Sequence, residues 1–175
     1  MPADPLRLEV AEFADIDRWR WVLQERGGAF VADHTVALDR DDPRHAALLD
    51  LPGYLHRYAA PDTRKADERR LIGEVGAWVG ERVLGPGIMG KLLARAKPAV
   101  VVRVRVPPAA ERLLSLPLEV ARRGAKSDPL ARAGVVAGVP GAQEDAVRDA
   151  RVLEVTAELA PDQLALAVCE GWLGH

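Results

Sequence analysis

Between Pro98 and Pro107 the chain reads Ala99-Val100-Val101-Val102-Arg103-Val104-Arg105-Val106. Val100, Val102, Val104 and Val106 fall on one side and Val101, Arg103 and Arg105 on the other. This period of two predicts a strand with one apolar and one basic face. Prolines bound it at both ends, where a missing backbone N–H interrupts no ladder. Three earlier segments share the period. Leu6–Val10 alternates apolar and polar residues, Trp19–Leu23 puts Trp19, Trp21 and Leu23 on one face, and Phe30–Leu38 aligns Phe30, Ala32, His34, Val36 and Leu38. Glu25-Arg26-Gly27-Gly28 supplies a turn in which glycine accepts a positive φ. The opening third therefore reads as an antiparallel meander whose aromatic face must be covered.

Helical spacing follows. Asp42 is placed to cap a helix with Pro43 at its first position. Arg44–Ala59 is helical in pattern, with a break expected at Pro52-Gly53. A longer helix starts near Pro61-Asp62-Thr63 and runs to about Leu84, with Leu71, Ile72, Val75, Trp78, Val79 and Val83 on its apolar stripe. Gly73, Gly76 and Gly80 weaken its propensity and permit close approach of a neighbouring element. Gly85-Pro86-Gly87 is expected to stop it, and Ile88–Ala96 to restart. After the valine strand come a short helix near Ala109–Leu114, the run Leu116-Pro117-Leu118-Glu119-Val120, an apolar stretch Gly134–Val139, a strand at Arg151–Val155 and a helix at Pro161–Leu173.

A chain of 175 residues suits one domain, and its 49% apolar content is enough for a core, which excludes whole-chain disorder. The net charge of −2 argues against a global nucleic-acid or anionic-membrane footprint. The sequence holds no apolar run of bilayer-spanning length and no basic-then-apolar leader, so a cytoplasmic placement is expected. A single cysteine, Cys169, excludes an internal disulfide and any multi-cysteine zinc site.

Chemical motifs are sparse. His34, His45 and His56 are evenly spaced but share no helical face and match no zinc signature. Cys169 lies in the apolar run Leu164–Val168, where cysteine packs as a small hydrophobe, and His175 is its nearest histidine in sequence. Gly85-Pro86-Gly87-Ile88-Met89-Gly90-Lys91 lacks the spacing and preceding strand of a phosphate loop. Arg103 and Arg105, with Arg122, Arg123 and Lys126 later, form a basic ridge suited to an acidic partner or phosphate or, more plainly, to solvent and local carboxylates. No catalytic, metal-binding or cofactor-binding residue is assigned, and no cofactor is expected.

Several spans together resemble a known group. Gly73-Glu74-Val75-Gly76-Ala77-Trp78-Val79-Gly80-Glu81 is followed by Val83-Leu84-Gly85-Pro86. The valine strand comes next, then Leu113-Leu114 and Leu116-Pro117-Leu118-Glu119-Val120-Ala121. This order is similar to the N-terminal part of CHAT-domain proteins, a caspase-like family. Trp19-Arg20-Trp21 and Asp33-His34-Thr35-Val36 resemble its upstream region. The resemblance implies a cysteine-peptidase lineage with a His–Cys dyad, yet the Gly-His-Gly loop and the cysteine motif of that family are absent. Cys169 is not at a matching position. The family's tight Gly-Lys-Pro-Leu turn is loosened here to Gly124–Leu130.

The expected architecture is thus α+β: an N-terminal antiparallel meander, central helices, then strands leading into an incomplete caspase-like α/β sheet. It divides into 1–140 as the N-terminal α+β region, 141–150 as a linker, and 151–175 as the first strand and helix of a truncated core. The expected role is non-catalytic scaffolding, docking or regulation through a protein partner or self-association, with no membrane or nucleic acid. Leu116, Pro117, Leu118 and Glu119 are structural, with Pro117 setting chain direction, both leucines anchoring and Glu119 meeting an arginine. Trp19, Trp21, Arg103 and Arg105 are the candidate interaction residues. Two other readings stand beside this one: an active thiol hydrolase using Cys169, and an anion-binding module on Arg103 and Arg105.

Overall fold

The valine strand is the point at which the two halves of the sheet meet. The computed structural model describes residues 6–96 and 100–138, all within the compact unit Met1–Pro140. The linker at 141–150, the strand at Arg151–Val155, the helix at Pro161–Leu173 and Cys169 lie outside the described residues. Strands β1 (Leu6–Asp15), β2 (Arg18–Gln24) and β3 (Phe30–Ala37) form the meander expected from the alternation, with both pairings antiparallel. Strand β4 (Val100–Arg105) runs parallel to β1, and β5 (Val135–Gly138) runs parallel to β4, giving the order β3-β2-β1-β4-β5. With the helices described below, the fold is α+β.

One face of the sheet is apolar throughout. Leu8 stands opposite Leu23 and Val104, Val10 opposite Trp21, and Val36 opposite Trp19. The register slips at Ala11 and again at Ala14, so the inward positions change from Leu6, Leu8 and Val10 to Phe13, which faces Trp19. A one-residue bulge reverses the alternation in this way. At the turn between β2 and β3, Gly28 adopts φ +84° and its N–H donates to Glu25 O at 2.9 Å.

The helices cover that face. Helix α1 (His45–Leu49) and α2 (Leu51–Tyr58) are separated at Asp50, not at Pro52-Gly53 as expected. Proline in a first turn forfeits no intrahelical bond, and the Asp50 carboxylate accepts the Gly53 N–H at 2.8 Å, so Pro52-Gly53 begins α2. Asp42 is not the cap of α1 either. Its carboxylate takes the Arg44 N–H and guanidinium, and the helix starts at His45.

Helix α3 (Arg64–Trp78) continues as a π-helical turn, Val79–Leu84, so the predicted extent to Leu84 holds. Gly85 ends that helix as expected, and only the restart comes earlier than Ile88. Gly85 takes φ +76° and opens α4 (Gly85–Arg95) directly. The His34 ring occupies the space a Cβ at Gly85 would need, and His34 Nε2 donates to Arg82 O at 3.0 Å.

The small residues of α3 and of the π-helical turn that continues it do what their spacing suggests. A Cβ at Gly76 would strike Val120 O, one at Gly80 would strike Arg122 O, and one at Gly73 would sit 2.9 Å from Ala125 O. The segment 120–125 therefore lies directly on the helix backbone, and Arg122 N donates to Gly76 O at 3.0 Å. Gly80→Ala is expected to lower stability by about 1–3 kcal/mol through overpacking, despite alanine's better helix propensity. Gly87→Ala, with nothing within 4 Å and an ordinary φ, should be neutral or stabilising by up to about 1 kcal/mol. Equal urea-unfolding midpoints for the two variants would refute the close contact.

Candidate interaction face

The two faces of the sheet have opposite chemistry because alternate residues of each strand point opposite ways. Trp19 and Trp21 were expected to offer an interaction surface, and the structure corrects this. They are 2% and 0% exposed, meet edge-to-face with centroids 6.2 Å apart, and share one core with Val79, Val83, Ile88 and Met89. This chain's own helices cover them. Both indole N–H groups are buried without a hydrogen-bond partner.

Arg103 and Arg105 lie where the alternation places them, exposed on the opposite face beside Val101. The parallel register adds a residue that sequence reading missed. Arg7 pairs with Arg103, and Glu9 with Arg105. The neighbouring strand then carries Gln24 opposite Arg7 and Val22 opposite Glu9. Among the described residues, none of Arg7, Arg103 and Arg105 takes part in an ion pair. On the same face Arg20 of β2 donates to Asp33 at 2.6 and 3.0 Å and to Glu12 at 3.2 Å, so its charges are spent internally. Arg7, Arg103 and Arg105 thus leave unpaired positive charge on β1 and β4, with exposed Arg18 of β2 the further unpaired arginine of this face among the described residues.

The Leu116–Glu119 run turns the chain, and one expectation for it needs correcting. Pro117 has φ −77° and ψ 63°, and Leu118 N donates to Leu116 O at 2.8 Å, an inverse γ-turn that redirects the chain. Leu116 and Leu118 are buried. Glu119 meets no arginine among the described residues. It borders a cavity of about 10 Å³ with Leu84, Leu92, Val102 and Leu130, and burial pushes its carboxyl above the usual range, partly offset by its own backbone N–H. Arg122, read as part of the basic ridge, lies instead against α3, where burial lowers its pKa. Its guanidinium reaches Val120 O at 3.4 Å.

The histidines separate. His34 holds Arg82 O, His56 Nδ1 lies 3.2 Å from Arg64 Nη2, and His45 Nε2 donates to Asp17 Oδ1 at 2.5 Å. No cluster able to hold a metal ion occurs among the described residues. The Asp17 site also escaped the sequence, since its partners lie far along the chain. Asp17 turns β1 into β2, its Oδ2 accepts from Arg40 Nε, and its backbone carbonyl accepts Leu38 N–H at 2.9 Å. No hydroxyl or thiol among the described residues bonds to His45, so this Asp–His pair has no nucleophile to activate. It fastens the β1–β2 turn to the start of α1.

An open dish of about 550 Å³ beside α1 and α2 is lined by Asp39, Asp41, Asp42, Arg44, Tyr54 and Glu74. Its arginine is committed, held by Asp42 at 2.7 Å and stacked over Trp78 at 5.6 Å. No described helix is long and apolar enough to cross a membrane. Comparison with family models, curated proteins and solved structures found no match to this chain.

Burial alone would raise the Asp17 carboxyl, but hydrogen bonds and charge from Arg40 and His45 outweigh it and hold it below its ordinary value. A depressed folded-state pKa contributes stability that is present above the unfolded value of about 3.9 and lost as pH falls through the folded one. Asp17→Asn is therefore expected to cost about 1–2 kcal/mol at neutral pH. The gap to the parent protein should close in acid. A gap independent of pH in urea titrations would contradict the assignment.

Proposed function

We propose that this chain is a non-catalytic docking element, the N-terminal α+β portion of a caspase-like protein of the CHAT type, acting in the cytoplasm on a protein partner. The observation that carries the docking role is the open sheet face on β1 and β4, where Arg103 and Arg105 are exposed and Val101 is 48% exposed. Sheets built of parallel strands are ordinarily covered on both sides, and here three strands run parallel. The segments that carry the family resemblance support a structural reading of that likeness. Gly73, Gly76 and Gly80 receive the chain that leaves Leu116–Glu119, so the motifs form one packed unit and place no reactive group at a cleft.

The rival reading, a thiol hydrolase, depends on Cys169. Alkylation rates measured from about pH 5 to about pH 9 should follow an ordinary thiol titrating near or above about 8.5. Peptide and ester reporters should show no turnover that Cys169→Ser removes. A thiolate forming well below that range, together with turnover lost in Cys169→Ser, would replace docking with catalysis.

A further inference from the structure

We infer that the open face around Arg7, Arg103 and Arg105 docks an acidic amphipathic helix of a partner protein, a deepening that rests on the docking reading above. The charge arrangement is the first argument. Arg7 and Arg103 are register neighbours on adjacent strands, which brings their backbones to about 4.8 Å. Like charges directly opposite each other on a sheet are destabilising. Within the stretch where the two strands pair, Glu9, the register neighbour of Arg105, is the one carboxylate, so three guanidinium groups stand there against a single acid. An anionic partner turns that repulsion into attraction.

Spacing and polarity narrow the partner. Arg103 and Arg105 point to the same side two residues apart, about 6.7 Å along the strand. Residues at i and i+4 of a helix have Cβ atoms about 5–6 Å apart, within reach of that spacing for two glutamate side chains. Beside the arginines the same face carries apolar surface: Val101 at 48% exposure and half-buried Val22. A helix with a glutamate flank and an adjoining leucine face satisfies both kinds of contact.

Nucleic acid fits less well. The exposed aromatic Phe30 is on β3, two strands away from β1, so no stacking platform adjoins the arginines.

The test is fluorescence anisotropy of the full chain with a labelled helical peptide carrying glutamates at i and i+4 and leucines on the adjoining face. Binding is expected at low ionic strength and should weaken steeply with added salt. Arg103→Glu/Arg105→Glu should weaken it at least about tenfold while leaving the thermal transition in place, and Arg57→Glu on α2 should leave it unchanged. Four results would overturn the inference: no binding at low salt, equal binding of a scrambled peptide of the same composition, tighter binding of an oligothymidylate, or a self-associated chain that the double variant converts to monomers. Catalytic turnover through Cys169 would sink the docking reading on its own terms. An inert thiol with no peptide binding would remove only the partner assigned here.

Discussion

Two tryptophans two residues apart on β2 set the terms for everything else. A buried tryptophan removes roughly 200 Å² from water, so each is worth about 5 kcal/mol as an upper figure. Each also leaves an indole N–H without a partner, at a cost of about 1–3 kcal/mol. The apolar term wins, but only if the cover is close and dry. That requirement explains why the π-helical turn and α4 lie over this face.

Local periodicity carried much of the fold. The alternation of Val100–Val106 assigned the buried and exposed faces of β4 correctly, and the glycine spacing of α3 announced a close neighbour. What it could not carry was the order of strands. That β1 lies between β2 and β4 is a long-range pairing, and with it came Arg7, invisible as a partner of Arg103 until the register was known. Asp17 was hidden for the same reason, its contacts with Arg40 and His45 being made through folding. The misplaced break at Pro52-Gly53 has a local cause: proline reads as a breaker in a helix interior and as a starter in a first turn, and Asp50 decides which. The aromatic face was legible as needing cover, but not that the chain itself supplies it.

The sheet thus divides its labour between its two sides. The inner side is committed to stability. On the outer side Arg20 of β2 is neutralised by Asp33 of β3 and Glu12 of β1, whereas Arg7, Arg103 and Arg105 keep their positive charge. Charged groups left unpaired on a rigid surface contribute little to folding. They are positioned by the same strand that anchors the core, so a partner would meet them with little further loss of conformational freedom.

The parallel pairing of β1 with β4 also has a consequence in time. Leu6 finds Val102 only after the whole meander and all four helices have been made. During synthesis the aromatic hairpin emerges well before β4, its parallel neighbour in the sheet. Closing so long a loop is slow, and it leaves an adhesive surface waiting. The chain is thus most vulnerable to aggregation as a nascent chain.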